Sequence, residues 1–346
     1  KLPQPPYLGR HPELAVKVNA FAAAKAMDDF CLDAGVALRF HAPALDVVMD
    51  GDRVEGLLIA TKAGVAEIRA KVFIDCTGDG DVAAFAGVPF DLGDPLQPGS
   101  FNVLLAGFDA DDIERQAADR AFQAAIAEGR LQKDDVWGSR GLHCGSIWNG
   151  KGSNLNHVYP LNGADSESRS QAEIRARQSV DRLLRWMRSE VPGCEHAYVA
   201  AVCPETWPRE SRRIKGVRTV TGEAYLRGEA ADDAVCYSFY PIDIHTHEEG
   251  ALINRYHEEG RVPGIPYGAM VPKSGANNLL VAGRCISGDR AAQSAYRVQA
   301  SCMAMGQAAG TAAAMVSKRS CPAHSVDVGR LREILALQGA IVPELR

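Results

Sequence analysis

One stretch, residues 278–316, constrains the fold of this chain more than any other. A short apolar strand at residues 279–282 ends at Gly283, and the chain then passes through a polar loop into a long helix of small residues. Small residues let a helix backbone approach a partner closely, and a glycine turn before a helix N-terminus offers N–H groups to an electron-rich ligand edge. Packing without a ligand is the commoner explanation of such a unit. The loop carries three arginines, Arg284, Arg290 and Arg297.

Composition excludes several classes of protein. The chain has 346 residues, of which 46% are hydrophobic, so it can bury one large core or two linked cores. Its formal net charge is −5, and Lys and Arg cluster only at residues 209–213, so no nucleic-acid partner is expected. The longest uncharged run, residues 298–317, is too weakly apolar to favour lipid, which predicts a buried helix and no membrane span.

The cysteines indicate a reducing compartment. There are nine, an odd number, and no two are spaced as C-x-x-C, which argues against a disulfide framework and against a thiolate zinc site. We therefore expect mostly buried thiols and a cytoplasmic protein.

The first part of the chain predicts a helix followed by strands. Apolar residues recur at helical spacing over residues 12–34, and Gly35 stops the pattern. Residues 36–69 contain four short aliphatic runs separated by turns, which predict one strand at residues 36–40 and then a three-stranded antiparallel meander. Residues 71–75 form an apolar run without alternation, typical of a strand covered on both faces.

A different pattern begins near residue 97, with helical stretches, strand-like runs and most of the aromatic residues. Polar and apolar residues alternate over residues 154–159, close to His143 and Cys144. This alternation fits either a pocket for a hydroxylated substrate or the solvent-facing side of a sheet, and we prefer the sheet. The predicted helices are residues 110–128 and 166–189, and the predicted strands are residues 142–148, 155–161, 197–203 and 235–243.

Three further blocks occur in a fixed order before residues 278–316. They are KVFIDCTGDGDVAAFAGV at residues 71–88, RESRRI at residues 209–214, and YPIDIH at residues 240–245 followed by IPYGAMVP at residues 265–272. Over about residues 21–314 the chain resembles the FAD-dependent oxidoreductases with a glutathione-reductase-type fold, in particular the FAD_oxidored group. The resemblance implies an α/β protein of mixed α+β character, in which an incomplete FAD-binding domain at residues 1–96 and 266–346 contains an inserted antiparallel-sheet substrate domain at residues 97–265.

One element of that family is not visible in residues 1–60, namely the strand, G-x-G-x-x-G turn and helix that receive the FAD pyrophosphate. We therefore expect a C-terminal portion of a larger flavoenzyme, with an N-terminal fragment or partner subunit that carries this motif. The expected function is an FAD-dependent dehydrogenase or oxidase that accepts hydride from a small-molecule substrate. The alternatives are a scaffold subunit that keeps the fold, and a flavin-using hydratase or isomerase without net redox change. The substrate and the oligomeric state are left open.

The turn at residues 77–81 follows directly on the predicted strand at residues 71–75. Its glycines permit positive φ, and its carboxylates can cap a helix that begins near Val82, which requires no ligand. In the flavoproteins that the chain resembles, this turn and the turn after residues 279–282 lie beside FAD. The resemblance therefore implies FAD contacts at Thr77, Gly78, Asp79, Gly283, Arg284, Arg297 and Ser301.

Two arginine positions are candidates for stabilising negative charge. In the block at residues 209–213 a salt-bridged surface turn is the ordinary explanation, whereas the resemblance implies that Arg212 or Arg213 points inward, to a substrate oxyanion or to the domain junction. Arg297 can stabilise the charge that builds on reduced flavin, or bind an anionic substrate. Its alternative role is an ion pair with Asp289.

Asp243, His245 and His247 alternate along a predicted strand, so their side chains share one face. Two histidines at this spacing can chelate a metal, but further ligands are not evident and no metal is expected. An imidazole with a pKa near neutrality suits the proton that leaves as hydride is transferred, and His245 is the predicted general base. Exposed histidines at a strand end are the alternative.

Overall fold

The computed structural model describes residues 19–136, 143–150, 152, 154–246 and 252–344. Helices and short strands alternate along these residues, which confirms the mixed α/β class. The helices of this part of the chain are α1 (Ala20–Asp33), α2 (Asp81–Phe85), α3 (Arg115–Ala127), α4 (Gly145–Gly150), α5 (Ser166–Glu190), α6 (Gly222–Leu226), α7 (Arg290–Tyr296), α8 (Gln299–Arg319) and α9 (Val328–Leu337). The strands are β1 (Ala44–Asp50), β2 (Arg53–Thr61), β3 (Gly64–Arg69), β4 (Phe73–Asp75), β5 (Phe90–Leu92), β6 (Val103–Ala106), β7 (Tyr198–Val202), β8 (Arg212–Ile214), β9 (Ala234–Tyr237), β10 (Ile242–His245), β11 (Leu252–Arg255), β12 (Gly264–Pro266) and β13 (Leu279–Val281).

The described strands form small sheets, most of them antiparallel. The predicted meander is confirmed, since β1, β2 and β3 pair in antiparallel order. β4 pairs with β13 in parallel, with Phe73 opposite Leu279 and Asp75 opposite Val281. Parallel pairing brings the carboxyl ends of these two strands, and the turns that follow them, to one edge. The other pairs are β5–β8, β6–β7, β9–β12 and β10–β11.

Buried apolar side chains form two cores. The first contains β4, β13 and one face of α8. The second lies between α3, α5 and the β6–β7 pair, where the rings of Phe122 and Trp186 meet edge to face with their centroids 5.6 Å apart. The buried members of the first core come from residues 54–88 and 214–335, and those of the second come from residues 101–197.

The predicted helices at residues 110–128 and 166–189 are confirmed as α3 and α5, but two predicted strands are wrong. Residues 36–40 pair with none of the described strands, and without a partner their backbone groups cannot form a ladder. In the described part of residues 142–148 the chain forms α4 instead. Asp119 Oδ1 accepts a hydrogen bond from Cys144 N at 2.8 Å, just before α4 begins.

Two further predicted strands differ in detail. Residues 155–161 contain only one bridge, between Val158 and Gly99, because the side chain of Asn156 competes for the neighbouring backbone: its Oδ1 accepts a hydrogen bond from Phe101 N at 3.0 Å. Residues 235–243 are divided between β9 and β10.

Three elements carry apolar side chains that the described residues do not cover. Ile74 in β4 is 36% exposed, so the prediction of a strand covered on both faces is wrong. α1 buries none of its residues, and Phe21 and Phe30 are 81% and 79% exposed. α8 is buried along one face, whereas Met303 is 63% exposed and a Cβ added at Gly306 would meet no atom within 4 Å. The helix is therefore less tightly packed than its small residues predict.

Candidate functional site

The turn after β4 is built around the buried carboxylate of Asp75. Asp75 Oδ1 accepts hydrogen bonds from N and Oγ1 of Thr77 at 2.9 and 2.7 Å, and Oδ2 accepts one from Ala83 N at 2.9 Å. Thr77 Oγ1 in turn accepts one from Asp81 N at 3.0 Å. Asp75 and Thr77 thus cap α2, and the capping role predicted for the carboxylates of the turn is wrong for Asp79.

Asp79 is held by cations instead. Its Oδ1 lies 2.8 Å from Arg284 Nη2 and accepts a hydrogen bond from Ser211 Oγ at 2.6 Å, and its Oδ2 lies 3.4 Å from Arg169 Nη1. The guanidinium of Arg284 also lies against Gly78, where an added Cβ would come within 2.6 Å of Nη1 and where φ is 80°. The structure therefore brings three predicted cofactor contacts, Gly78, Asp79 and Arg284, together in one cluster.

The turns after β4 and β13 lie at the same edge of the parallel pair. Ala282 N donates a hydrogen bond to Asp75 O at 3.0 Å, which joins the two strand ends. Gly283 has φ of 98°, and the nearest atom to an added Cβ there would be Cys302 Sγ at 4.0 Å, so the space beside it is open. Thr77 is exposed on the opposite turn. Open backbone outside the carboxyl ends of parallel strands is the usual ligand position in α/β proteins.

Ser301 lies in the first turn of α8, and its side chain is buried. Its Oγ lies 2.8 Å from Ser238 Oγ, which is also 2.9 Å from the hydroxyl of Tyr225. The hydroxyl of Ser301 therefore forms its hydrogen bond within the core, with Ser238. The residue before the helix, Val298, provides no side-chain cap, so the first N–H groups of α8 are left to water or a ligand.

The block that begins at Arg209 is buried, so its ordinary explanation as a surface turn is wrong. Arg209 and Arg213 are 8% and 6% exposed. Arg213 Nε donates to Gly288 O at 3.1 Å, in the loop before α7, and Arg212 Nη1 lies 2.7 Å from Asp81 Oδ1. Arg212 and Arg213 thus connect β8 to the start of α2 and to the loop before α7.

β10 brings Asp243 and His245 to one face, whereas His247 lies outside the described residues. His245 Nε2 is 3.3 Å from Asp243 Oδ2, and its Nδ1 is 3.1 Å from Nε2 of His157. An ionised carboxylate can only accept a hydrogen bond, so Nε2 of neutral His245 carries the proton and Nδ1 accepts from His157. His245 is only 5% exposed, which excludes the alternative of an exposed strand end, and burial lowers its pKa and favours the neutral form.

Arg297 faces this histidine through Asp243. Its Nη2 lies 3.4 Å from Asp243 Oδ2, so the alternative of an ion pair with Asp289 is wrong; Asp289 caps α7 instead. Burial opposes the ionisation of Asp243, but the hydrogen bond to His245 and the charges of Arg297 and Arg209 outweigh it and lower its pKa. Arg297 Nε is buried and has no hydrogen-bond partner among the residues that the structure describes.

Sequence reasoning missed His157 and Arg209. The alternating residues around His157 were interpreted as a solvent-facing sheet, yet Leu155, Asn156 and His157 are all buried. Polar and apolar residues alternate in the same way whether the polar face meets water or other polar side chains. The pattern therefore could not predict that His157 is buried beside His245. Arg209 could have been predicted as a site residue, because it belongs to the same five-residue block as Arg212.

Neither a metal cluster nor a membrane helix occurs in the ranges that the structure describes. No three His, Cys, Asp or Glu residues there are placed to hold a metal ion. Every helix there is too short or too polar to cross a membrane.

The residues at the strand edge fit a flavin. The glycine backbone at residue 283 leaves room for close approach, and Arg284 and Arg297 each have a buried Nε without a hydrogen-bond partner in the described ranges. Unsatisfied buried donors of this kind suit a polar, electron-rich ligand edge. The fold and the site together are typical of α/β proteins that bind a nucleotide cofactor at the carboxyl ends of parallel strands.

Comparison with known proteins identifies the cofactor. The model of the family described as FAD dependent oxidoreductase matches residues 7–335, and the chain belongs to this family, whose cofactor is FAD. A crystal structure of a geranylgeranyl bacteriochlorophyll reductase-like protein from Thermoplasma acidophilum is similar at 11% identity and a TM-score of 0.40. The match covers 92% of this chain, which spans 59% of that protein. A search of curated proteins found no match.

Proposed function

We propose that this chain is the catalytic part of a flavin-dependent dehydrogenase or oxidase that accepts hydride from a small organic substrate. One observation carries the proposal: a buried hydrogen-bond chain runs from Asp243 through His245 to His157, beside Arg297 and Arg209. When hydride leaves a C–H, the adjacent O–H or N–H must lose its proton, and this chain can accept it. The arginines provide positive charge where negative charge develops.

The two glycine turns and the start of α8 are the proposed FAD site. Bound FAD supplies an isoalloxazine ring that accepts hydride. Gly283 allows its edge to approach the backbone, whereas Gly78 makes room for Arg284, which remains oriented by Asp79. The full set of proposed contacts is Thr77, Gly78, Asp79, Gly283, Arg284, Arg297 and, through its backbone, Ser301.

Both ring nitrogens of His245 are already hydrogen-bonded, so the substrate proton would enter through His157, which passes its Nε2 proton to Nδ1 of His245. Since Nδ1 of His245 faces His157 and Nε2 faces Asp243, the imidazolium that forms is stabilised by the carboxylate on one side and shares its other proton with the second ring. Arg212, the other predicted catalytic residue, has a positioning role, because Asp81 already matches its charge.

A nucleotide-binding unit that covers α1 and the free edge of β4 is the second part of the proposal. Parallel sheets are normally covered on both faces, yet Ile74, Phe21 and Phe30 are exposed. The occupant would be an N-terminal segment or a partner subunit with the G-x-G-x-x-G motif. A cytoplasmic location, which the nine free thiols support, and a substrate domain at residues 97–265 belong to the same proposal.

The absorption spectrum of the purified protein tests this function. The chain is purified alone and together with the product of the neighbouring gene, and candidate substrates are added without oxygen. Bound flavin that a substrate bleaches is the expected result. Absence of flavin from both preparations would support a scaffold role instead, and turnover without bleaching at any stage would support a hydratase or isomerase.

A further inference from the structure

Arg209 is a buried cation without a carboxylate partner. It is only 8% exposed. Its Nη1 donates to Pro98 O at 2.6 Å, and its Nη2 donates to Ser100 Oγ at 2.9 Å and to Asn154 Oδ1 at 3.0 Å. All three acceptors are neutral, and in the described ranges no carboxylate oxygen lies within 4.0 Å of the guanidinium. Buried charges in proteins are almost always paired, so this arrangement is unusual.

A second cation lies close by. Burial and the positive charge of Arg297 lower the pKa of Arg209 to about 9, so the guanidinium is charged at neutral pH but in an unfavourable environment. Asp243 is the nearby carboxylate, and it contacts Arg297. Two positive charges and one negative charge, with His245 neutral, leave one positive charge unmatched.

The carboxylate next to Arg209 in the chain cannot supply the missing charge. Glu210 is fully buried and lies 3.3 Å from Arg290 and 3.8 Å from Arg213. It is thus already shared by two other cations. Among the residues that the structure describes, one positive charge beside His245 therefore remains unmatched.

We propose that Arg209 and Arg297 bind a carboxylate of the substrate, so that the substrate is a small carboxylic acid. One monoanion matches the unmatched charge, and a planar guanidinium suits the two oxygens of a carboxylate. The acid group would lie beside the His157–His245 pair, which accepts a proton from the same molecule. This inference rests on the proposed function, but it makes a binding prediction that requires no turnover.

Thermal unfolding of the purified chain measures that binding. Lactate and acetate are the anionic probes, lactamide is the neutral isostere, inorganic phosphate is the competing anion, and chloride keeps the ionic strength constant. We expect lactate or acetate, at up to about 0.1 M, to raise Tm by about 1–3 °C and to saturate, because only the folded state binds the ligand. Lactamide and phosphate should give no saturable rise.

Variants assign the effect to Arg209. Arg209→Met should lose the saturable rise, and Arg209→Lys should keep part of it. Arg182→Met is the matched control, because Arg182 is also partly buried but has its own carboxylate, Asp135, at 2.7 Å; its response to lactate should remain. If Arg209→Met does not fold, the comparison of lactate with lactamide in the wild type still shows whether binding requires a carboxylate.

Three outcomes with the organic probes would overturn the carboxylate site. They are an equal rise with lactamide, no saturable rise with either acid, and an undiminished rise in a folded Arg209→Met protein. A saturable rise with phosphate alone would also overturn it, since the charge would then serve a phosphate group such as that of the cofactor. Failure of the proposed function would look different from failure of this site. If the chain binds lactate or acetate but no substrate reduces its flavin, the carboxylate site is retained and only the redox function is excluded.

Discussion

Gly78 occupies a position where both the backbone and the surrounding space exclude a side chain. Its φ is 80°, and an added Cβ would come within 2.6 Å of Arg284 Nη1. In Gly78→Ala the guanidinium must move and give up its contact with Asp79. We expect a loss of about 1–3 kcal/mol in the free energy of unfolding, measured by urea denaturation, together with weaker FAD binding.

Gly87→Ala is the matched control for that prediction. Gly87 has a similar φ of 72°, but an added Cβ would meet nothing within 4 Å, so only backbone strain is expected. Equal losses in the two variants would mean that Arg284 yields freely and does not constrain the turn.

Arg297 should act on flavin reduction more than on flavin binding. Arg297→Ala removes a buried cation whose interaction with the flavin strengthens as negative charge develops there, so we expect about a hundredfold loss in the anaerobic reduction rate and a lower flavin reduction potential. Arg297→Lys should restore part of both, because an ammonium keeps the charge but lacks the planar fork. Unchanged rate and potential in the alanine variant would place Arg297 outside the site.

The decrease in kcat/KM at acidic pH should depend on the protonation of His245. The histidine must be neutral to accept a proton, and burial lowers its pKa, so kcat/KM should fall with decreasing pH through a midpoint below the ordinary value of about 6.5. Asp243 opposes this shift and raises the pKa of His245. Asp243→Asn should therefore move the midpoint to still lower pH while reducing kcat.

Stability gives an independent measure of the same histidine. A folded-state pKa below the unfolded one means that the unfolded chain binds the proton more readily, so this contribution is present above about pH 6.5 and is lost as the pH falls through the folded pKa. Wild type should therefore lose more unfolding free energy than His245→Gln over that window. Parallel pH dependence in the two proteins would argue against a buried neutral His245.

Among the elements, α8 is the clearest test of how sequence and structure differ. Its small residues predict a tight contact along the whole helix, but the space around Gly306 is open. Gly306→Ala should therefore raise the unfolding free energy by about 0.5–1 kcal/mol, because alanine restricts the unfolded chain and favours helix. Ala312→Leu, on the buried face, should instead lower it by about 1–3 kcal/mol. If Gly306→Ala destabilises the protein, a further segment or subunit covers that face.

Elements that depend on local chemistry could be predicted, and those that depend on distant partners could not. The meander follows from its aliphatic runs and from turns such as the one at Gly51. α4 was missed because a side chain of α3, Asp119, organises its start. The shared face of Asp243 and His245 follows from the period of a strand, whereas His157 comes from 88 residues away.

At the scale of the whole molecule, the exposed face of α1 predicts an assembly. Phe21→Ser together with Phe30→Ser should abolish co-purification with the proposed subunit or fragment that carries the nucleotide motif, while the Tm of the isolated chain stays nearly unchanged. Leu337→Ser is the control, because Leu337 is equally exposed, at 82%, in another helix. A partner that tolerates the double variant, or that is lost equally with Leu337→Ser, would exclude α1 as its docking face.

The pairing of β4 with β13 also governs when the protein can fold. Asn278 Nδ2 donates to Lys71 O across 207 residues of chain, so this sheet cannot form until β13 has left the ribosome. The second core uses residues 101–197 alone and can collapse earlier. Contacts between distant segments form slowly, and until they form β4 is an unpaired apolar strand. During synthesis β4 therefore has an interval without its strand partner, which ends only when β13 has emerged.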